Sequence, residues 1–589
     1  MMGKVLSPCG SIEAVCAAVA NGAHEIYLGG GDHNARQYAK NFSADEIAGV
    51  VAFCHENGVK VLVTLNILEG DREIASALAF AKQMRDIGVD ALIVQDWGLA
   101  CLLREYIPDM ELHGSTQMSV HSLDGAKAVA ELGMKRVVLA RELSSKNIKY
   151  ITDNCGIETE IFVHGALCYA YSGQCLMSAV IGRRSGNRGR CAGPCRLPYT
   201  VSGKKGYFLS LKDLCLADKM GEVAKTGASA YKIEGRMKRA EYVGAVTRAY
   251  ARGDYNKKTL SEIFSRSGFT SSFFDGRKGA FDLGVKVDED IKKYSALLSK
   301  ERVRYERLIS HIKPVSAPPA DEQTAKDFIA SKTFAKKKGE NKLYCFALNL
   351  SQAKVLGGAD KVFLPVEEII KNSLSGFGVH LPKIITDDER SHYAEMLCKA
   401  KKLGNTLVCV ENIGQVALVK ECGLDFICGI SLNAFNRFSV QYLYSLGAKD
   451  VLLSAECSAP QIRDITKACA GGIFAYGRLP LMVSESCIGK NALGCDGRRC
   501  RMPQTLSDRA GQKFFVTKAP KCRNVIYNSV PVWLADRESE LKELNLSSRA
   551  LFFTDESPAK CAEVMLCYKE RKGKPSGEFT RGMFAKKVL

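Results

Sequence analysis

Short apolar runs rich in β-branched residues recur along the first 250 residues, and between them apolar positions return with helical spacing. The runs are KVLSP, EIYLGG, VKVLVTLN, ALIVQD, ELHGSTQ, RVVLA, ETEIFVHG and SAYKIEG. Each of the first six leads into an amphipathic segment such as SIEAVCAAVANG, whose apolar side chains fall on one helix face. Eight strands in βα alternation predict an α/β fold of the (β/α)8 TIM-barrel kind rather than an open doubly wound sheet. The alternation breaks once. After the seventh run the chain spends roughly sixty residues before the eighth, and a group of cysteines lies in that excursion.

The pattern then repeats. GSTQMSVHSLDGAKAVAELGMKRVVLARELS, from Gly114, corresponds to GISLNAFNRFSVQYLYSLGAKDVLLSAECS, from Gly429. IFVHGALCYAYSGQC corresponds to IFAYGRLPLMVSESC, Ile473 to Cys487. The offset stays between 312 and 315 residues through both pairs, so an internal duplication is expected. Strand candidates of the second copy include LYCFALN, DKVFLP, TLVCVE, DFICG, DVLLS and GGIFAYG. Between the copies, FSRSGFTSSFFDGRKGAF, the charged helix DEDIKKYSALLSKERVRYERLISHIK, PVSAPPADEQTAKDF and KKKGENK change the character of the chain to module and linker.

The expected organisation is a first TIM-like barrel over residues 1–250, with a cysteine-rich insertion after strand seven at about 165–215. A helical module and linker over 251–340, a second, degenerate barrel over 341–555 and a basic tail over 556–589 follow.

A chain of 589 residues with 46% hydrophobic and 25% charged residues has the makeup of a globular protein of about two to four domains. No stretch reaches the roughly twenty apolar residues of a membrane span, and the start carries no secretory pattern. A cytoplasmic location without membrane partners is therefore expected. Lys and Arg outnumber Asp and Glu by 83 to 64, a formal charge of +19 that favours a polyanionic partner such as RNA.

In a reducing compartment, clustered thiols bind metal or do redox work more often than they form disulfides. The first copy offers Cys168, Cys175, Cys191 and Cys195, with Cys215 in reserve as fourth ligand. Four thiolates can hold a four-iron four-sulfur (4Fe–4S) cluster or a structural zinc. One short hook instead of two favours iron–sulfur, although spacing alone does not decide. The second copy matches Cys175 with Cys487 and adds Cys495, Cys500 and Cys522, a possible second cluster or zinc site. Polar residues at the strand ends, including Gln117, Arg141, Glu142 and Glu234, fit a barrel mouth, where this fold carries its chemistry.

SPCGSIEAVCAAVANGAHEIYLGG, ARQYAKNFS, STQMSVHS, VVLARELS, FVHGALCYAYSGQCLMS, NRGRCAGPCRLPY, LSLKDLC and YKIEGRMKRAEYV together resemble the collagenase-like peptidases of unassigned catalytic type, peptidase family U32. The resemblance runs over the whole chain and is strongest to the long, two-repeat members, the ribosomal RNA cytidine hydroxylases. It implies oxygen-independent hydroxylation of an RNA base, with a four-cysteine 4Fe–4S cluster and prephenate as hydroxyl source. Cys168, Cys175 and Cys191 match the family's ligands, and the fourth varies between branches. On that reading His113, His164 and Glu234 are candidates for proton transfer. Arg141, Arg236, Lys238 and Gln117 would bind substrate, and Tyr169 and Tyr171 are available to stack a base. Shorter members of the family hydroxylate a wobble uridine of tRNA or, as heterodimers, the ring of a ubiquinone precursor, and hydroxylation of the tRNA uridine is the alternative for this chain. A peptidase using a cysteine nucleophile with His164 as base, and a non-enzymatic RNA-binding protein, are the other readings.

Overall fold

The computed structural model describes residues 3–36, 41–277, 282–285, 295–334, 338–496, 499–586 and 588. Parts of ARQYAKNFS, GRKGAF, DEDIKKY, KKKGENK and CDGRRC lie outside these. β1 (Lys4–Pro8), β2 (Glu25–Leu28), β3 (Lys60–Leu65), β4 (Ala91–Val94), β5 (Glu111–Gly114), β6 (Arg136–Val138) and β7 (Glu158–Gly165) pair in parallel, each with the next. The excursion after β7 holds β8 (Tyr199–Val201), β9 (Lys204–Gly206) and β10 (Asp213–Cys215). β11 (Ala230–Ile233) then pairs with both β7 and β1 and closes the barrel. The short β12 (Phe269–Thr270) adds to β10. Helices begin where a hydroxyl or carboxylate caps them, as Ser11 does for Ile12–Ala20 and Asp96 for Trp97–Tyr106. Val, Ile and Leu on the outer strand faces pack beneath those helices.

The interior of this first barrel is charged low down. Arg136 grips Glu25 at 2.6 and 2.9 Å and Glu160 at 3.2 Å, and Lys232 bonds Glu160 at 2.7 Å. Each buried charge has its partner, so removing one member would leave another uncompensated, at a cost of about 3–5 kcal/mol.

β13 (Lys342–Phe346), β14 (Lys361–Pro365), β15 (Gly378–His380), β16 (Leu407–Val410) and β17 (Asp425–Cys428) form the second barrel's parallel run. The sixth strand is reduced to isolated bridges, Val451 to Cys428 and Leu452 to Gly472. β18 (Gly471–Gly477) follows, and an excursion of β19 (Pro480–Ser484), β20 (Gln504–Ser507), β21 (Lys513–Ala519), β22 (Arg523–Tyr527) and β23 (Val532–Trp533) precedes the closing strand, β24 (Leu546–Phe552). β24 pairs in parallel with β18 and β13. The duplicated barrel is thus present, with β15 and β24 as strands the sequence pattern did not reveal.

The barrels pack as a pseudo-twofold pair. Helix Trp97–Tyr106 of the first lies against Arg437–Ser445 of the second, and Gly414–Glu421 lies against Leu123–Glu131. These are the fourth and fifth helices of each barrel, exchanged. Gly98 and Gly414 occupy equivalent places. A Cβ on Gly98 would fall 2.3 Å from Ser439 N, and one on Gly414 2.5 Å from Ser122 Oγ, so the helix starts touch backbone to backbone. The excursions join as well. β8 pairs with β20, and a six-stranded sheet, β19-β22-β21-β20-β8-β9, crosses from one copy to the other.

Helices Ser295–Tyr305 and Glu322–Ala330 pack on the outside of the first barrel, against its first and third helices. Part of the segment read as a basic tail is built into the second barrel instead. Helix Pro558–Lys569 buries Cys561, Val564 and Tyr568 against β13 and its neighbour. Among the described residues no helix is long and apolar enough to cross a membrane.

Candidate active site

Glu234 follows β11 at the carboxyl ends of the first barrel's strands. Its Oε1 accepts from Arg36 at 3.1 Å and its Oε2 from Arg141 at 3.3 Å. Burial raises the carboxyl, but Arg36 and then Arg141 outweigh it and hold it below the usual range. Arg141 lies over the Phe162 ring, 4.0 Å from its centroid. Arg236 turns away and is spent on structure, donating to Thr64 Oγ1 at 2.8 Å and Asn34 Oδ1 at 2.6 Å. Gln117 donates to Asn66 O at 3.0 Å beside the junction of the two barrels. The Lys238 ammonium sits over the rings of Phe264 and Tyr242.

The excursion folds back over this mouth. Arg188 forks onto Glu73 at 2.6 and 2.7 Å and reaches Leu68 O at 2.6 Å, while Arg196 ties Ser210 and Leu211 to Leu167. Tyr171 N donates to Val483 O and Leu176 N to Leu481 O, both at 2.7 Å, so the cysteine loop is also strapped to β19.

Cys168, Cys175, Cys191 and Cys195 are thereby brought into one electrostatic neighbourhood. Burial pushes the Cys168 thiol up to about 12, and the nearby Cys195 and Cys191 add to it. Cys175 is raised by burial, then by Cys168, Cys191 and Cys195. Cys195 is raised by burial against the pull of Arg196, with Cys191 adding to the rise. Such a set is costly as four thiolates unless a cation joins them. Arg141 faces Cys168, Arg196 and Arg266 face Cys195, and Arg36 faces Cys191. The donors therefore fit a cationic group. Their sulfurs do not converge within 4.8 Å, whereas one zinc with bonds of about 2.3 Å would draw them to about 3.8 Å. Cys191 is exposed and Cys195 buried.

Cys215 stands apart from this group. It pairs with His164 across β10 and β7, and its sulfur accepts from Tyr250 Oη at 3.7 Å. In the second copy, Cys487 and Cys495 flank Gly489, whose Cβ would lie 3.5 Å from Cys487 Sγ and 3.8 Å from Cys495 Cβ. Cys500 is exposed, and Cys522 occupies the turn between β21 and β22.

Two histidines proposed for proton transfer lie elsewhere. His113 is on the barrel's inner wall beside Arg136, bonded to Glu111 at 2.8 Å. His164 is boxed by Tyr242, Tyr250 and Phe269, and burial and then Lys238 lower it to about 3, so it stays neutral. Tyr169 and Tyr171 are buried in the junction, Tyr169 donating to Ser486 O at 3.0 Å, and neither can stack a base.

Two residues, Arg36 and Tyr207, were not singled out from the sequence, and Glu142 was placed at the mouth without a role. Arg36 carried no periodic signal. Glu142, raised to about 7 by burial, accepts from Ser172 Oγ at 3.1 Å beside Arg141. Tyr207, 39% exposed, is on the excursion next to Lys204 and Lys205.

A 23S rRNA 5-hydroxycytidine synthase of Escherichia coli is 37% identical over 323 residues, covering 49% of this chain and 49% of that protein. A tRNA hydroxylation protein P1 of Bacillus subtilis is 35% identical over 260 residues, 42% of this chain and 62% of its own. A collagenase of Porphyromonas gingivalis is 29% identical over 330 residues, 51% and 78%. The match thus spans about half the length of the first of these relatives and less than two thirds of the second. The profile of Peptidase family U32 matches residues 10–282 and 375–551, the first barrel and the larger part of the second, and the chain belongs to that family.

Proposed function

We propose that this protein is an iron–sulfur-dependent RNA base hydroxylase that works without molecular oxygen, forming 5-hydroxycytidine in ribosomal RNA with prephenate as hydroxyl source. The observation that carries the reading is the four-thiol group set against Arg36, Glu234 and Arg141 at a barrel mouth. Cys168, Cys175, Cys191 and Cys195 would hold a 4Fe–4S cluster, which when bound supplies electron transfer or an iron that polarises an oxygen. The relatives named for rRNA and tRNA hydroxylation support the reaction class.

The protein's own groups divide the remaining work. Arg36 and Arg141 present guanidinium forks that match the carboxylates of a dicarboxylate donor. Glu234 holds both forks in place before the donor arrives. The Glu142 carboxyl, raised to about 7 by burial, holds a proton beside Arg141 near neutral pH. Exposed Arg183, Lys204 and Lys205 neutralise phosphates, and Tyr207 offers a face for an unstacked base.

Hydrolysis of peptides by a cysteine nucleophile lacks its base. His164 contacts Tyr250, not Cys168, and Cys168 is raised to about 12, the opposite of an activated thiol.

Mass spectrometry of digested RNA from a deletion strain tests the proposal. Loss of hydroxycytidine from ribosomal RNA, restored by the wild-type chain and not by Cys191→Ala, is the expected result. Loss of a tRNA hydroxyuridine instead would move the substrate to tRNA. Unchanged RNA would overturn the function.

A further inference from the structure

A separate set of donors lies inside the second barrel. His380 ends β15, and the β15–β16 ladder sets it beside Cys409. Glu411 comes two residues after Cys409, on the same inner face. One ligand atom from each of the three lies within 4.8 Å of the others. His380 Nε2 is 3.1 Å from Glu411 Oε1, and Cys409 Sγ is 4.0 Å from the same oxygen. Around a tetrahedral ion with bonds of about 2.0–2.3 Å, ligand atoms stand roughly 3.3–3.8 Å apart. The set is therefore within small side-chain shifts of that geometry.

Its surroundings are shaped for the same purpose. Gly429 lies against the carboxylate, where a Cβ would fall 2.4 Å from Glu411 Oε1. Phe346 and Phe552 wall the His380 ring at 5.2 and 6.3 Å. The Cys409 and Glu411 side chains are sealed, while that of His380 is 24% exposed and opens an entry path. Lys383 also faces Glu411 and partly balances its charge. The ladder registers place Thr64, Ile93 and Gln95 at the same three positions of the first barrel. The donor set thus belongs to the second copy alone.

We propose that the second barrel binds a divalent transition-metal ion of the zinc class through His380 Nε2, Cys409 Sγ and Glu411 Oε1. Nitrogen, thiolate and carboxylate together select zinc over magnesium or calcium. Binding replaces the Cys409 S–H bond with a metal–sulfur bond and releases that proton to solvent. The proton shared by His380 Nε2 and Glu411 Oε1 is given up as the imidazole takes its Nδ1–H tautomer, freeing both atoms for the metal, and no electron is transferred. Three protein ligands leave a fourth position for water on the open side, the arrangement of catalytic rather than structural zinc.

Cobalt(II), added to the full chain purified anaerobically and freed of loosely held metal, is the probe. The wild type should take up one equivalent more than Cys409→Ser, with tetrahedral visible bands and a thiolate charge-transfer band. Those bands should survive Cys191→Ala, which separates this site from the first barrel's thiols. His380→Ala, at a partly exposed position that tolerates truncation, should weaken binding at least tenfold, and zinc should displace the cobalt. Equal cobalt uptake and identical spectra in the wild type, His380→Ala, Cys409→Ser and Glu411→Gln would overturn the proposal.

Discussion

The two barrels share a backbone and differ in what fills them. In the first, Arg136, Glu25, Glu160 and Lys232 form a charged interior, and Arg36, Arg141 and Glu234 carry charge up to the mouth. In the second, Phe363, Phe346, Phe552 and Phe474 run as a near-parallel stack at centroid spacings of 4.6, 4.1 and 4.9 Å. The strand registers put Phe552 where the first barrel has Glu234 and Ala455 where it has Arg141. One copy keeps a costly charged mouth while the other fills the same space with rings. A charged mouth in the copy where the other packs rings points to chemistry at that end.

The largest expected asymmetry concerns the cysteines. Cys191→Ala should lower bound iron and cut RNA hydroxylation more than about 1,000-fold, read by iron assay and mass spectrometry, the scale of losing a group the reaction depends on. Cys500→Ala should leave the modification within about tenfold. Equal losses would mean that both copies serve the reaction. Next, Glu234→Gln should slow turnover about 100-fold with the chain still folded by circular dichroism. A merely structural role would instead lower Tm and leave the rate of the folded fraction unchanged.

A third effect is one the two copies share. Glu142 and its counterpart Glu456 are both buried with raised carboxyls, Glu142 to about 7. An acid raised on folding makes the native state bind the extra proton, so stability falls as pH climbs from the ordinary carboxyl range through 7. Glu142→Gln should therefore stabilise by about 2–3 kcal/mol at pH 8 and hardly at all at pH 4, measured by urea unfolding. The smallest effect tests the pseudo-twofold. Gly98→Ala and Gly414→Ala should each cost about 1–2 kcal/mol, because each Cβ meets backbone or a cap of the other barrel. A cost at only one of them would break the equivalence of the two contacts.

Periodicity revealed the first barrel nearly whole, because its strands are uniformly apolar runs between amphipathic helices. It lost β15, which is only Gly378–His380, and β24, whose LSSRALF reads as mixed polarity until Arg549 is seen packed against Glu538 and Tyr568. The thiols of the first copy were legible because clustered cysteines are chemically distinctive. Arg36 was not, since its role depends on a loop meeting a strand end 198 residues away. Histidines misled for a related reason. A strand-end histidine marks a mouth only if it points inward at the top, and His113 sits lower while His164 points behind the sheet toward Tyr250.

The sheet that crosses between the copies also sets a clock. β8 finds its partner β20 only after about 300 further residues have been made. At roughly 5–20 residues per second, that is about 15–60 s during which β8 has only β9 to pair with. Assembly of the thiol group is thereby tied to the end of synthesis, and a ribosome stalled before β20 would release a finished barrel with an unfinished mouth.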